Sequence, residues 1–126
     1  MSRWYLVLAL GLVFVLAGCG SQKSGPVQAV ENYYQAITNR NEDLFVNSTC
    51  ADWEEKGRVE YDSFQGVTST LQDFSCQESG KEGDATLVTC SGKIVASYGN
   101  EKMDFPLSDR VHKVVNEAGD WRMCGY

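Results

Sequence analysis

The pattern of apolar and polar positions changes character three times along the chain. From Trp4 to Leu16 there is no charge and no ordinary polar side chain. That run suits the apolar centre of a secretory leader. It falls short of the about 20 apolar residues that a membrane-spanning helix needs. From Val27 the period becomes helical: Val27, Val30, Tyr34 and Ile37 share one face, widened by Ala29, Tyr33 and Ala36. Pro26 stands in the first turn, where a missing N–H costs nothing. The helix is expected to stop around Asn39, Arg40 and Asn41. Asn41 then caps a second, short helix, with Glu42 and Asp43 in its first turn and Leu44, Phe45 and Val46 on its buried side. Asp52 is placed to cap a third helix from Trp53, with Glu54 and Arg58 paired on its outside and Val59 and Tyr61 near its end. Gly57 weakens that helix by roughly 1 kcal/mol relative to alanine.

Beyond Phe64 the period shortens to two. Val67 to Gln77 reads as one strand and Thr86 to Tyr98 as a longer one, with Val88, Cys90, Ile94, Ala96 and Tyr98 alternating. Gly92 marks a bulge or bend, and Gly99-Asn100 a hairpin turn. Lys102 to Val115 is a third strand region that Pro106 breaks or confines to an edge. Ala118-Gly119-Asp120 turns into a last strand, Trp121 to Tyr126. Three helices followed by about four hairpin-linked strands make an α+β fold, with N-terminal helices packed on a curved antiparallel sheet.

Charge narrows the partners. With 11 basic and 17 acidic residues the net charge is −6, and loss of Arg3 with the leader makes it more negative. Such a domain argues against nucleic acid and against electrostatic docking on anionic lipid. The leader ends in Leu16-Ala17-Gly18-Cys19, which resembles the bacterial lipobox. The resemblance implies cleavage before Cys19, a diacylglyceryl group on its thiol and an acylated amine. Two or more acyl chains give stable anchoring, so the membrane is a partner through Cys19. Gly20 follows, with no aspartate at that position to signal inner-membrane retention. The organisation is then a leader over 1–18, a lipidated cysteine and flexible tether over 19–25, and one domain over 26–126. That domain is expected outside the cytoplasm, anchored by lipid to a bacterial membrane.

Four further cysteines, Cys50, Cys76, Cys90 and Cys124, read as two disulfides in an exported domain. No C-x-x-C pair occurs, so a zinc site is not expected, nor any other metal. Three connectivities are open. Cys76 and Cys90 flank a Gly-rich, charged turn, Ser79 to Asp84, and are expected to face each other across a hairpin. That leaves Cys50 with Cys124.

The helix containing Val27 and Ala29 to Ile37, two short helices, long strands and the ending Val114-Val115-Asn116-Glu117-Ala118-Gly119-Asp120-Trp121-Arg122 together resemble the nuclear transport factor 2-like superfamily. Its cone fold is shared with ketosteroid isomerase. The likeness spans residues 26–126. Cys50 to Glu54 and Trp121 to Tyr126 carry a narrower likeness to small bacterial lipoproteins of that superfamily whose function is unassigned. The resemblance implies a cone that Tyr33, Tyr34, Trp53, Tyr61 and Phe64 either line as a pocket or simply fill. It assigns no catalytic residue, since Tyr61 and Asp62 do not align with the Tyr and Asp of the isomerase.

His112 is the one histidine. Alternation puts Arg110 and His112 on one face of their strand, and Asp109, Val111 and Lys113 on the other. The plainer expectation is a solvent-facing histidine; acid–base work would need it to face the cone near a carboxylate. Glu54, Glu55, Lys56, Arg58 and Glu60 read as a solvated helix face. There is no phosphate loop, zinc helix, calcium loop or nucleophile elbow, and no cofactor is expected. The sequence therefore favours a non-enzymatic domain that binds a small apolar ligand or an envelope protein. The alternative is a small isomerase or hydrolase acting on an apolar molecule.

Overall fold

The computed structural model describes residues 23–126. The leader, the lipobox and Cys19 lie outside the described residues. Helix α1 spans Gly25–Asn39, with the Ser24 hydroxyl accepting the Val27 N–H and Pro26 in the first turn. Its predicted stripe is buried throughout, and Arg40, at φ 55°, ends it. Helix α2 spans Glu42–Ser48, and the Asn41 side chain accepts the Leu44 N–H at 3.0 Å as its cap. Phe45 is fully buried and Leu44 half-buried, but Val46 is 40% exposed. So short a helix presents one narrow face, and Val46 falls outside it.

The third helical region departs from expectation in two places. Cys50 is extended and its carbonyl accepts the Trp53 N–H at 3.2 Å, so a 3-10 turn, Ala51–Trp53, comes first and α3 runs from Glu54 to Ser63. Asp52 therefore lies inside the turn and caps nothing. Arg58 pairs with Glu42 at 3.0 Å and not with Glu54. Its guanidinium lies over the rings of Phe45 and Tyr61, at 4.8 and 5.4 Å, a cation–π contact that an exposed pair along one helix lacks. Gly57 has a packing reason: a Cβ there would meet Trp53 at 3.0 Å and the Tyr33 hydroxyl at 3.2 Å.

Five strands follow: β1 Thr68–Glu82, β2 Ala85–Tyr98, β3 Glu101–Pro106, β4 Val111–Glu117 and β5 Asp120–Met123. All pair antiparallel, with β2 as the spine. β1 runs along one edge of β2. The other edge is shared, β3 taking Lys93 to Tyr98 and β4 taking Thr86 to Thr89. The predicted third region is thus two strands, because Pro106 ends β3 and the Leu107 N–H turns back to the Gly92 carbonyl at 3.0 Å. Gly92, at φ 87°, sits where β1 shifts register between Gln72 and Ser75. A Cβ there would stand 2.4 Å from the Gln72 carbonyl oxygen, so only glycine fits this bend.

The sheet curls around α1, which packs against β1, β2, β4 and β5. Tyr33, Tyr34, Ile37, Phe45, Ile94 and Met123 are fully buried between them. Cys76 and Cys90 are directly paired across β1 and β2 and form one disulfide. Cys50 and Cys124 form the other, tying the end of α2 to the segment after β5 beside the Thr49–Met123 bridge. No helix among the described residues is long and apolar enough to cross a membrane.

Candidate functional site

His112 is fully buried, contrary to the plainer expectation of a solvent-facing side chain. Alternation along β4 was sound: Val111 and Lys113 are exposed while His112 and Val114 point inward. Its Nδ1 lies 2.9 Å from the Val88 carbonyl oxygen, which can only accept, so Nδ1 carries the proton. Nε2 is then the acceptor, 2.7 Å from the Tyr34 hydroxyl, which donates to it. Burial, with the Arg110 charge adding to it, pulls the imidazole down to about 4 against the opposing pull of the Val88 carbonyl. His112 is neutral at ordinary pH.

The chain of contacts continues outward. Arg110 Nη1 donates to the Tyr34 hydroxyl at 3.0 Å and to Glu60 Oε1 at 3.0 Å. Tyr126 donates its hydroxyl to the other Glu60 oxygen. Its ring lies 4.2 Å from the Arg110 guanidinium and packs edge-on to Trp53 and His112. The Trp53 indole N–H reaches the Tyr33 hydroxyl at 3.4 Å. Burial pushes the Tyr33, Tyr34 and Tyr126 phenols above their usual range, so all three stay protonated. The result is a single file of groups from the core to the surface: Val88 carbonyl, His112, Tyr34, Arg110, Glu60, Tyr126.

Of the residues singled out in the sequence, Tyr33, Tyr34, Trp53 and His112 come together here. Tyr61 packs against Phe45, and Phe64 against Phe105, in the surrounding core. Asp62 is exposed. Sequence reasoning missed Glu60, assigned to a solvated face, and Tyr126. Arg110 was the available signal: alternation puts it on the face of His112, and a partly buried guanidinium calls for a carboxylate partner.

A second feature lies outside the cone. A groove of about 420 Å³ runs between α1, α2 and the β4–β5 turn, walled by Gln28, Asn32, Asn47, Asp120, Trp121 and Arg122. Arg122 is held there by the Val46 carbonyl at 3.0 Å. Among the described residues no group of His, Cys, Asp and Glu is arranged to hold a metal.

The fold is an α+β cone, with three helices packed on a curled antiparallel sheet. A solved structure from Shewanella frigidimarina, described as a candidate ketosteroid isomerase, superposes with a TM-score of 0.54 at 15% identity, covering 80% of this chain and 91% of that one. At that identity the likeness concerns the fold alone. No protein-family model matches the chain. No curated protein matches it either.

Proposed function

We propose that this chain is a lipid-tethered, extracytoplasmic binding domain that works without catalysis and meets its ligand outside the cone. The observation that carries this reading is the engagement of both His112 nitrogens. A general base needs a free lone pair within reach of substrate. Here the lone pair receives the Tyr34 hydroxyl, and the Tyr126 ring packs edge-on against the imidazole. Such a file of mutually satisfied polar groups fixes a unique core. The lipobox at Leu16 to Cys19 supports the tether, and the two disulfides accord with an oxidising compartment. Native mass spectrometry of the mature protein from an exporting host tests the reading. The mass of the lipidated chain with no further ligand, four hydrogens below its fully reduced value, is expected. A co-purifying small molecule displaced by substitution of Tyr34 or Trp53 would overturn it.

A second reading, a small cone-fold enzyme, draws on the fold likeness together with the carboxylate, guanidinium, phenol and imidazole of that file. It requires Tyr126 to swing away. Tyr126→Ala would then expose His112, and turnover of an apolar substrate that His112→Gln abolishes would establish it.

A further inference from the structure

We infer that the groove between α1, α2 and the β4–β5 turn is a binding site for a neutral saccharide. This inference rests on the reading that the domain binds through its outside. The walls combine three kinds of group. Trp121 offers an aromatic surface, 36% exposed. It lies so close on Gly25 that a Cβ there would meet the ring at 2.1 Å, so the glycine is what lets the indole occupy this wall. Gln28, Asn32 and Asn47 add three carboxamides, each both donor and acceptor. Asp120 and Arg122 add one charge of each sign, 3.8 Å apart.

The chemistry of the ligand follows from that set. An apolar molecule would strand the amides and the charged pair without partners. An anion or a cation would meet a groove whose formal charges cancel, in a domain that is acidic as a whole. A sugar ring satisfies all the walls at once. Its C–H face packs on the negative face of an indole, and its hydroxyls donate and accept as the carboxamides do. The volume, about 420 Å³, lies within the range of small-ligand clefts.

The site is also preorganised. Arg122 Nη1 is fixed by the carbonyls of Val46, at 3.0 Å, and Thr49, at 3.5 Å. The β4–β5 turn is held by the Gly119 N–H on the Asn116 side chain at 3.0 Å. Less ordering is then left to occur on binding.

Placement narrows the source of the sugar. Gly25 follows Cys19 by six residues, an extended reach of about 20 Å. A lipid on Cys19 would hold the groove near the membrane surface. Glycolipid headgroups and glycan strands of the wall both come within reach there.

The test is tryptophan fluorescence and calorimetry of the mature protein with two neutral disaccharides. N,N′-diacetylchitobiose represents acetamido-sugar wall glycan, and maltose represents a glucosyl headgroup. Saturable binding of either is expected, weakened at least tenfold in Trp121→Ala and in Asn47→Ala, and unchanged in Trp53→Phe. Preference for the first points to wall glycan, and for the second to a glycolipid. Asn47 is exposed, so its variant stays informative if Trp121→Ala fails to fold. No saturable binding of either sugar, or binding that both groove variants retain, overturns the inference. A bare native mass with no sugar binding would overturn this inference alone, whereas a ligand in the cone would overturn the functional reading beneath it.

Discussion

The Tyr34 hydroxyl donates to His112 Nε2 across 2.7 Å, joining a residue of the first helix to one of the fourth strand, 78 positions later. That contact sets the tautomer of the imidazole, fills its lone pair and leaves the phenol oxygen to accept from Arg110. Helix and sheet are thereby locked by polar geometry as well as by burial.

Tyr34→Phe removes the middle of the file. Arg110 loses an acceptor and His112 Nε2 loses its donor inside the core. Leaving buried groups unpaired costs about 1–3 kcal/mol, and urea unfolding should show that loss. A variant as stable as the parent would mean that water replaces the phenol.

The depressed imidazole makes stability depend on pH. His112 titrates near 4 in the folded protein and near its ordinary 6.5 when unfolded. Above 6.5 both states carry the neutral ring and the contribution is fully present. As pH falls from 6.5 towards 4, the unfolded chain takes up the proton first, and stability is lost by up to about 3 kcal/mol. Unfolding free energies at pH 7 and pH 4.5 should differ more for the parent than for His112→Gln. Identical differences would contradict the burial of a neutral ring.

Much of this architecture was legible in the chain because it is local. Asn41 as a cap, the apolar stripe of α1, Gly92 as a bend and the Cys76–Cys90 pairing each follow from a few neighbouring residues. Asp52, Val46 and the partner of Arg58 were misread because contacts between elements decide them. Cys124, which ties down Cys50 next to the turn, and Glu42 and Phe45, which take the Arg58 guanidinium, lie in other elements, and the few residues of α2 leave Val46 outside its one buried face. The candidate site was legible in part. Tyr33, Tyr34, Trp53 and His112 stood out as aromatic or singular, whereas Glu60 looked like one more charge on a solvated helix. Its burial depends on Arg110, fifty residues away.

The two disulfides should differ in worth. The Cys50–Cys124 pair spans 74 positions and the Cys76–Cys90 pair 14. In the chain-entropy view the longer loop stabilises by about 4 kcal/mol and the shorter by about 3 kcal/mol. Denaturation of Cys50→Ala/Cys124→Ala and of Cys76→Ala/Cys90→Ala should give that order. The reverse order would show that the hairpin crosslink dominates folding.

Gly92→Ala should be severely destabilising. The position has φ 87°, and the new Cβ would stand 2.4 Å from the Gln72 carbonyl oxygen. The loss should exceed about 1 kcal/mol, measurable as a lowered melting temperature. A neutral substitution would mean that the bend relaxes freely.

The proposed lipid anchor rests on Cys19. In an exporting host, Cys19→Ser should remain an unlipidated precursor, its mass showing the uncleaved leader and no acyl chains. Full recovery of mature, detergent-bound protein from that variant would refute the anchor.

The most direct test of a closed, non-catalytic cone is the state of the imidazole itself. Long-range ¹H–¹⁵N correlation spectra of His112 between pH 5 and 8 should show one neutral tautomer, protonated at Nδ1, with no titration across the range. An imidazole that titrates near 6.5 and exchanges its proton freely with solvent would contradict the account, because the cone would then be open and its base available.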